Sequence, residues 1–84
     1  MKIIYPKKIS NIHIPINIKG EQERINFEAT HRQKNAIIYW HIDDQYIGST
    51  ETMHQISAQP STGRHTLKLV DQLGNVYAQK FTTY

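Results

Sequence analysis

Five histidines and a few carboxylates are the side chains with which this 84-residue chain could do chemistry. His13, His31, His41, His54 and His65 stand 18, 10, 13 and 11 residues apart. No two share a strand face at close spacing or a helix face one turn apart, and there is no cysteine to help them hold zinc. The spacing argues against a metal site and for histidines that are exposed or satisfied locally. Asp43, Asp44 and Asp71 could orient a histidine for hydrolysis, but each falls in a stretch that reads as a turn, where aspartate is favoured because it bonds nearby backbone. No glycine-rich phosphate cradle follows a strand and opens a helix. The expectation is a chain with no catalytic residue, no metal and no cofactor. Exposed aromatics remain, since their planes give contact area at low entropic cost. Tyr39, His41 and Tyr46, close together around one hairpin, are the candidate contacts for a partner or a glycan.

The elements that must position these residues show period-two alternation almost throughout. Ile12, Ile14, Ile16 and Ile18 alternate with Asn11, His13, Pro15 and Asn17, which predicts a strand with one isoleucine face, placed at a sheet edge because Pro15 cannot donate to a ladder. Ile25, Phe27 and Ala29 alternate in a second strand after a turn around Gly20. From Ala36 to Ile42 both faces are apolar enough for a central strand, with Ile38, Trp40 and Ile42 on one side. Asp43-Asp44 predicts a tight hairpin, Gly48 the end of the return strand, and Met53 to Ile56 a short strand before Pro60 and Gly63. His65, Leu67 and Leu69 share a face of the next strand, 71–75 reads as a hairpin loop, and Val76 to Tyr84 as the closing strand. Seven to eight short strands, with turn signals every 8 to 12 residues or so, predict an all-β, immunoglobulin-like antiparallel β-sandwich formed by residues 1–84 as one domain. In such sandwiches a tryptophan on the third strand packs between the sheets. Trp40 has that position, with Phe27 or Ile25 and Leu67 standing where antibody domains carry their two cysteines, and Leu69 beyond. His65, two residues before Leu67, occupies the place of the corner tyrosine that bonds back to the backbone.

Size and charge limit the rest. A domain this small buries only about 60 to 65% of the surface of its unfolded chain. No apolar run reaches the roughly 20 residues that span a bilayer, and the first residues lack the apolar stretch of a signal peptide. An address outside the cytoplasm would then lie on chain preceding this one. The net charge of +3 is gathered in residues 1–35, but no basic run exceeds Lys7-Lys8 and no aromatics interleave with it. A nucleic-acid partner is not expected.

Tyr5-Pro6, then Trp40-His41-Ile42-Asp43-Asp44-Gln45-Tyr46-Ile47-Gly48, then Gly63-Arg64-His65-Thr66-Leu67-Lys68-Leu69-Val70-Asp71 and Gly74-Asn75, with Thr50 and His54 between the longer segments, form an ordered pattern over nearly the whole chain. It resembles the C-terminal domain of bifunctional penicillin-binding proteins of the 1C type. Asp44 stands where that family often has glycine, and Ile47 where it often has leucine. The resemblance implies a non-catalytic appendage of a periplasmic peptidoglycan synthase. The parent chain's anchor would then be its tie to the inner membrane. Partners would be the parent's transpeptidase domain, peptidoglycan or an envelope protein. The residues agree in one respect: penicilloyl-serine chemistry needs Ser-x-x-Lys, and none of Ser10, Ser49, Ser57 and Ser61 has lysine three residues on. The alternative is a stand-alone carbohydrate-binding or adhesion module of the same fold.

Overall fold

The alternating stretches become eight strands in the computed structural model, which describes residues 1–84 apart from Ile9 and Asn17. They are β1 (Lys2–Tyr5), β2 (Ser10–Ile12), β3 (Ile25–Thr30), β4 (Ile37–Ile42), β5 (Gln45–Glu51), β6 (Gln55–Ala58), β7 (Gly63–Asp71) and β8 (Val76–Thr83). One sheet has the order β1-β3-β6 and the other β2-β8-β7-β4-β5. Every ladder is antiparallel except β2 on β8, which is parallel. The inward residues of the two sheets form one core, in which Phe27 of β3, Ile38 and Trp40 of β4, and Leu67 and Leu69 of β7 have no exposed surface. Leu69 lies directly opposite Trp40 and Leu67 opposite Ile42. Phe27 meets Phe81 across the sandwich, ring centroids 5.6 Å apart and tilted. Burying a side chain of this size is worth about 1.5 to 3 kcal/mol, so this cluster supplies most of what holds two small sheets together.

Four boundaries differ from the sequence expectation. The isoleucine strand ends early: β2 stops at Ile12, and Ile14 and Tyr84 continue its pairing through Ile14 N–H to Tyr84 O and Tyr84 N–H to Ile12 O. Pro15, with no N–H to offer, closes the run. Ile12 and Ile14 are buried, whereas Ile16 is 65% exposed and Ile18 lies fully in solvent; Asn17 is outside the described residues. β1 was not signalled by alternation, because Ile3 alone of its residues is buried. β6 begins at Gln55 rather than at Met53, which is displaced into a turn.

The fourth difference is β5, which does not end at Gly48 but runs through it to Glu51. Trp40 pairs with Gly48 and His41 with Tyr46, so Ile47 is an extra residue and β5 carries a bulge. Gly48 has φ 152°, and a Cβ there would come within 2.8 Å of Ile56 Cδ1 on β6. The missing side chain is what lets the two sheets approach at this point. Gly48→Ala is expected to lower stability by about 1 to 3 kcal/mol, read as a lower urea midpoint at unchanged slope. An unchanged midpoint would show that Ile56 simply swings aside.

Candidate functional site

The histidines are separated in space as in sequence, and three of them tie loops together at the two ends of the sandwich. At one end the β4–β5 turn has both central residues left-handed, Asp43 at φ 52° and Asp44 at φ 64°, as a two-residue hairpin of the right twist requires. The turn presents the Asp43 carboxylate to β7, where Oδ1 accepts the Thr66 N–H at 2.8 Å and Oδ2 lies 2.5 Å from His65 Nδ1. The other ring nitrogen of His65, Nε2, is 2.6 Å from the carbonyl oxygen of Ser61, which also accepts from Thr83 Oγ1. Both ring nitrogens thus face oxygen acceptors, and each contact calls for a proton on nitrogen. Desolvation pushes the Asp43 carboxyl upward, but the hydrogen bond from His65, the Thr66 amide and the charge on His65 outweigh it and hold the group below its ordinary value. An aspartate on Nδ1 is how hydrolases prime an imidazole as base. Here Nε2 is spent on a main-chain carbonyl, not a hydroxyl, so the pair staples the turn to the β6–β7 corner.

At the opposite end two further networks meet. His31 Nδ1 accepts the Gln33 N–H at 2.9 Å, which leaves Nε2–H to donate to Asp71 Oδ2, also at 2.9 Å. Asp71 further accepts from the Leu73 and Asn75 amides and the Asn75 side chain, organising the β7–β8 loop. The His31 and Asn75 side-chain donors hold the Asp71 carboxyl well below its usual range against the effect of burial, with the Asn75 and Leu73 amides adding to them. Beside this pair, Trp40 Nε1–H donates to Thr50 Oγ1, and Thr50 Oγ1 lies 2.8 Å from His54 Nδ1. Sequence spacing could not reveal the His31–Asp71 pair, whose members are 40 residues apart.

Acid is expected to weaken the fold in two steps. Burial, with the charge of His31, pushes the His54 imidazole below its ordinary 6.5. The unfolded chain therefore takes up this proton first, and stability present above pH 6.5 is lost as pH falls below it. Asp71 and Asp43, both lowered from 3.8, add a second loss as pH falls through and below that value. Thermal midpoints recorded from pH 8 down to about 2 check this. Persistence of the first step in His54→Asn would assign it elsewhere.

The aromatic candidates lie on a different surface. Tyr39 and His41 point outward from β4, and Tyr46 stands opposite His41 on β5, their rings 5.6 Å apart. Tyr39 is 37% and Tyr46 56% exposed. His41 Nδ1 is buried and has no hydrogen-bond partner among the described residues. The structure brings these three together on the outer face of the five-stranded sheet, with His41 and Tyr46 close to the stapled β4–β5 turn. Phe27, Trp40, Leu67 and Leu69 lie in the core, and His65 is buried at its edge. Among the described residues, no group of three histidine, cysteine or acidic side chains could hold a metal ion. Among the same residues no helix is long and apolar enough to cross a membrane.

A family model described as the penicillin-binding protein C-terminus family matches residues 1–81. The chain belongs to that family. No curated protein matches it. Among solved structures, a fibronectin(III)-like module of Clostridium thermocellum CbhA is similar, with a TM-score of 0.67 at 15% identity, over 99% of this chain and 92% of that one. At that identity the likeness speaks for the fold: the penicillin-binding protein C-terminal domain is an immunoglobulin-like sandwich. Thr50 and His54, quoted above for the family resemblance, are the two residues that carry the tryptophan's hydrogen bond onward.

Proposed function

We propose that the domain is a non-catalytic accessory module of a membrane-anchored, periplasmic peptidoglycan synthase of the 1C type, in which it docks on the parent's transpeptidase domain. Family membership supports the setting. The observation that carries the docking reading is the outer face of the five-stranded sheet. There Tyr39, His41 and Tyr46 lie beside Ile37 and Val70 with no described element covering them, and the His41 Nδ1 below has no hydrogen-bond partner among the described residues. A contact there would bury aromatic surface of the kind that dominates interface energetics. The non-catalytic reading is supported by the histidines, since His65 and His31 spend both ring nitrogens inside the fold.

Hydrogen exchange on the full-length synthase and on this domain alone tests the docking. Amides of β4 and β5 should be more protected in the full chain, and Tyr39→Ala with Tyr46→Ala should abolish the difference. Equal protection in both would reject docking through this face. Shifts of Tyr39 and Tyr46 on addition of glycan strands to the isolated domain would instead support the carbohydrate-binding alternative.

A further inference from the structure

We propose that the end of the sandwich between the β3–β4 and β5–β6 loops is a binding site for a small zwitterion, a free amino acid or a dipeptide. It goes beyond the docking reading and uses a different surface. A cavity of about 340 Å³ opens there, large enough for a ligand of this size. Its lining includes one carboxylate, Glu28, one ammonium, Lys34, and the His31 imidazole, already paired with Asp71, together with the Gln33 amide, Thr52, Met53 and His54. Lys34 makes no ion pair among the described residues, and Glu28 receives only a long 3.3 Å hydrogen bond from Gln55. Both charges are therefore free to meet charges of opposite sign.

His54 supplies a directed donor between them. Trp40 Nε1–H can only donate, so the Thr50 hydroxyl accepts from it, and in the proposed site the hydroxyl gives its own hydrogen to His54 Nδ1. The ring proton is then on Nε2. His54 is only 7% exposed, yet its Nε2 is neither bonded nor sealed from solvent, and the residue lines the cavity. A neutral N–H held in place by two hydrogen bonds from the core is suited to a carboxylate whose charge Lys34 offsets. Glu28 is suited to an ammonium, and Met53, 70% exposed at the rim, to an apolar side chain.

The backbone under this cavity is strained. Thr52 has φ 71°, a left-handed conformation that a β-branched residue rarely adopts, and Met53 N–H bonds to Glu51 O across it in a γ-turn. The Thr52 side chain is exposed. The turn delivers Met53 and His54 to the cavity, and strain of this kind gathers at ligand sites. A purely anionic ligand would meet Glu28, a purely cationic one Lys34, and an uncharged sugar would use neither.

Amide shift titration of the 84-residue chain with alanyl-alanine, its N-acetyl form and its C-terminal amide tests the proposal. Free dipeptide should give saturable shifts at Gln33, Lys34, Thr52, Met53 and His54 with a dissociation constant of about 1 to 10 mM, and either blocked form should bind about tenfold more weakly. Lys34→Gln and Glu28→Gln should each weaken binding about tenfold without moving the melting temperature. The imidazole nitrogen spectrum should show the Nε2–H tautomer of His54. Absence of saturable shifts up to about 50 mM would overturn the proposal. So would blocked and free forms binding alike, which would mean a site for one charge only, or retained affinity in both variants.

Discussion

Replacing Trp40 with alanine should cost about 3 to 5 kcal/mol, the range for deleting a buried aromatic whose surroundings cannot collapse. A domain of this length is expected to have roughly 8 kcal/mol of total stability, so the variant should lose about half of it and still fold. Trp40 has no exposed surface, sits in a β4 flanked by β7 and β5, and faces the other sheet, so no single side chain can move to fill the space. The loss also frees the Thr50 hydroxyl and, through it, His54. Trp40→Phe separates the two effects. It keeps most of the ring volume and loses the N–H, and should cost about 1 to 2 kcal/mol. Urea unfolding of both variants at constant slope measures the difference. A loss below about 1 kcal/mol for the alanine variant would mean that the sandwich is held elsewhere than at its central tryptophan.

His65→Ala should cost about 2 to 4 kcal/mol, combining lost packing with lost hydrogen bonds. The imidazole stacks on Phe81 at 5.4 Å and donates to the Ser61 carbonyl, and its side chain is only 8% exposed. Its partner Asp43 is half exposed, so solvent screens the ionic part of the contact. Such pairs are worth about 0 to 1 kcal/mol, and the coupling found in a double-mutant cycle with Asp43→Asn should stay within that range. A larger coupling would show that the hairpin aspartate, rather than the corner carbonyl, is what His65 serves.

Much of the fold was legible because the chain alternates. Where both inward and outward residues are unambiguous, as at Ile25-Phe27-Ala29, Ile38-Trp40-Ile42 and Leu67-Leu69, pattern and strand coincide. The reading failed where pairing ends for reasons the pattern does not contain. The isoleucines beyond Pro15 continue to alternate, but their backbone pairs only locally, Ile16 with Gln22 in a bridge that belongs to neither sheet, so hydrophobic residues at strand spacing lie in solvent. Gly48 looks like a stop but lies inside β5, paired with Trp40 beside the bulge at Ile47, because the reason for glycine there is Ile56 on the opposite sheet, a contact made only after folding.

The candidate site divides in the same way. Tyr39, His41 and Tyr46 can be placed near one another from the sequence, since strand alternation and a two-residue turn are local rules. The His31–Asp71 pair cannot, because it joins loops whose approach depends on the packing of whole strands, nor can the Trp40–Thr50–His54 chain, because the bulge at Ile47 sets which β5 residue meets the indole and the turn after β5 sets where His54 falls. What the sequence determined by itself was therefore the all-β sandwich and its tryptophan-centred core, which follow from side-chain period and turn chemistry, and the resemblance to the family, which rests on the order of particular residues. What only the tertiary structure decided was the use of the histidines. Spacing left them as isolated groups with no shared face. The sandwich spends His65 and His31 on staples and leaves one nitrogen of His54 facing a cavity, because a ring nitrogen's role is set by whichever donor or acceptor the fold brings within hydrogen-bond distance.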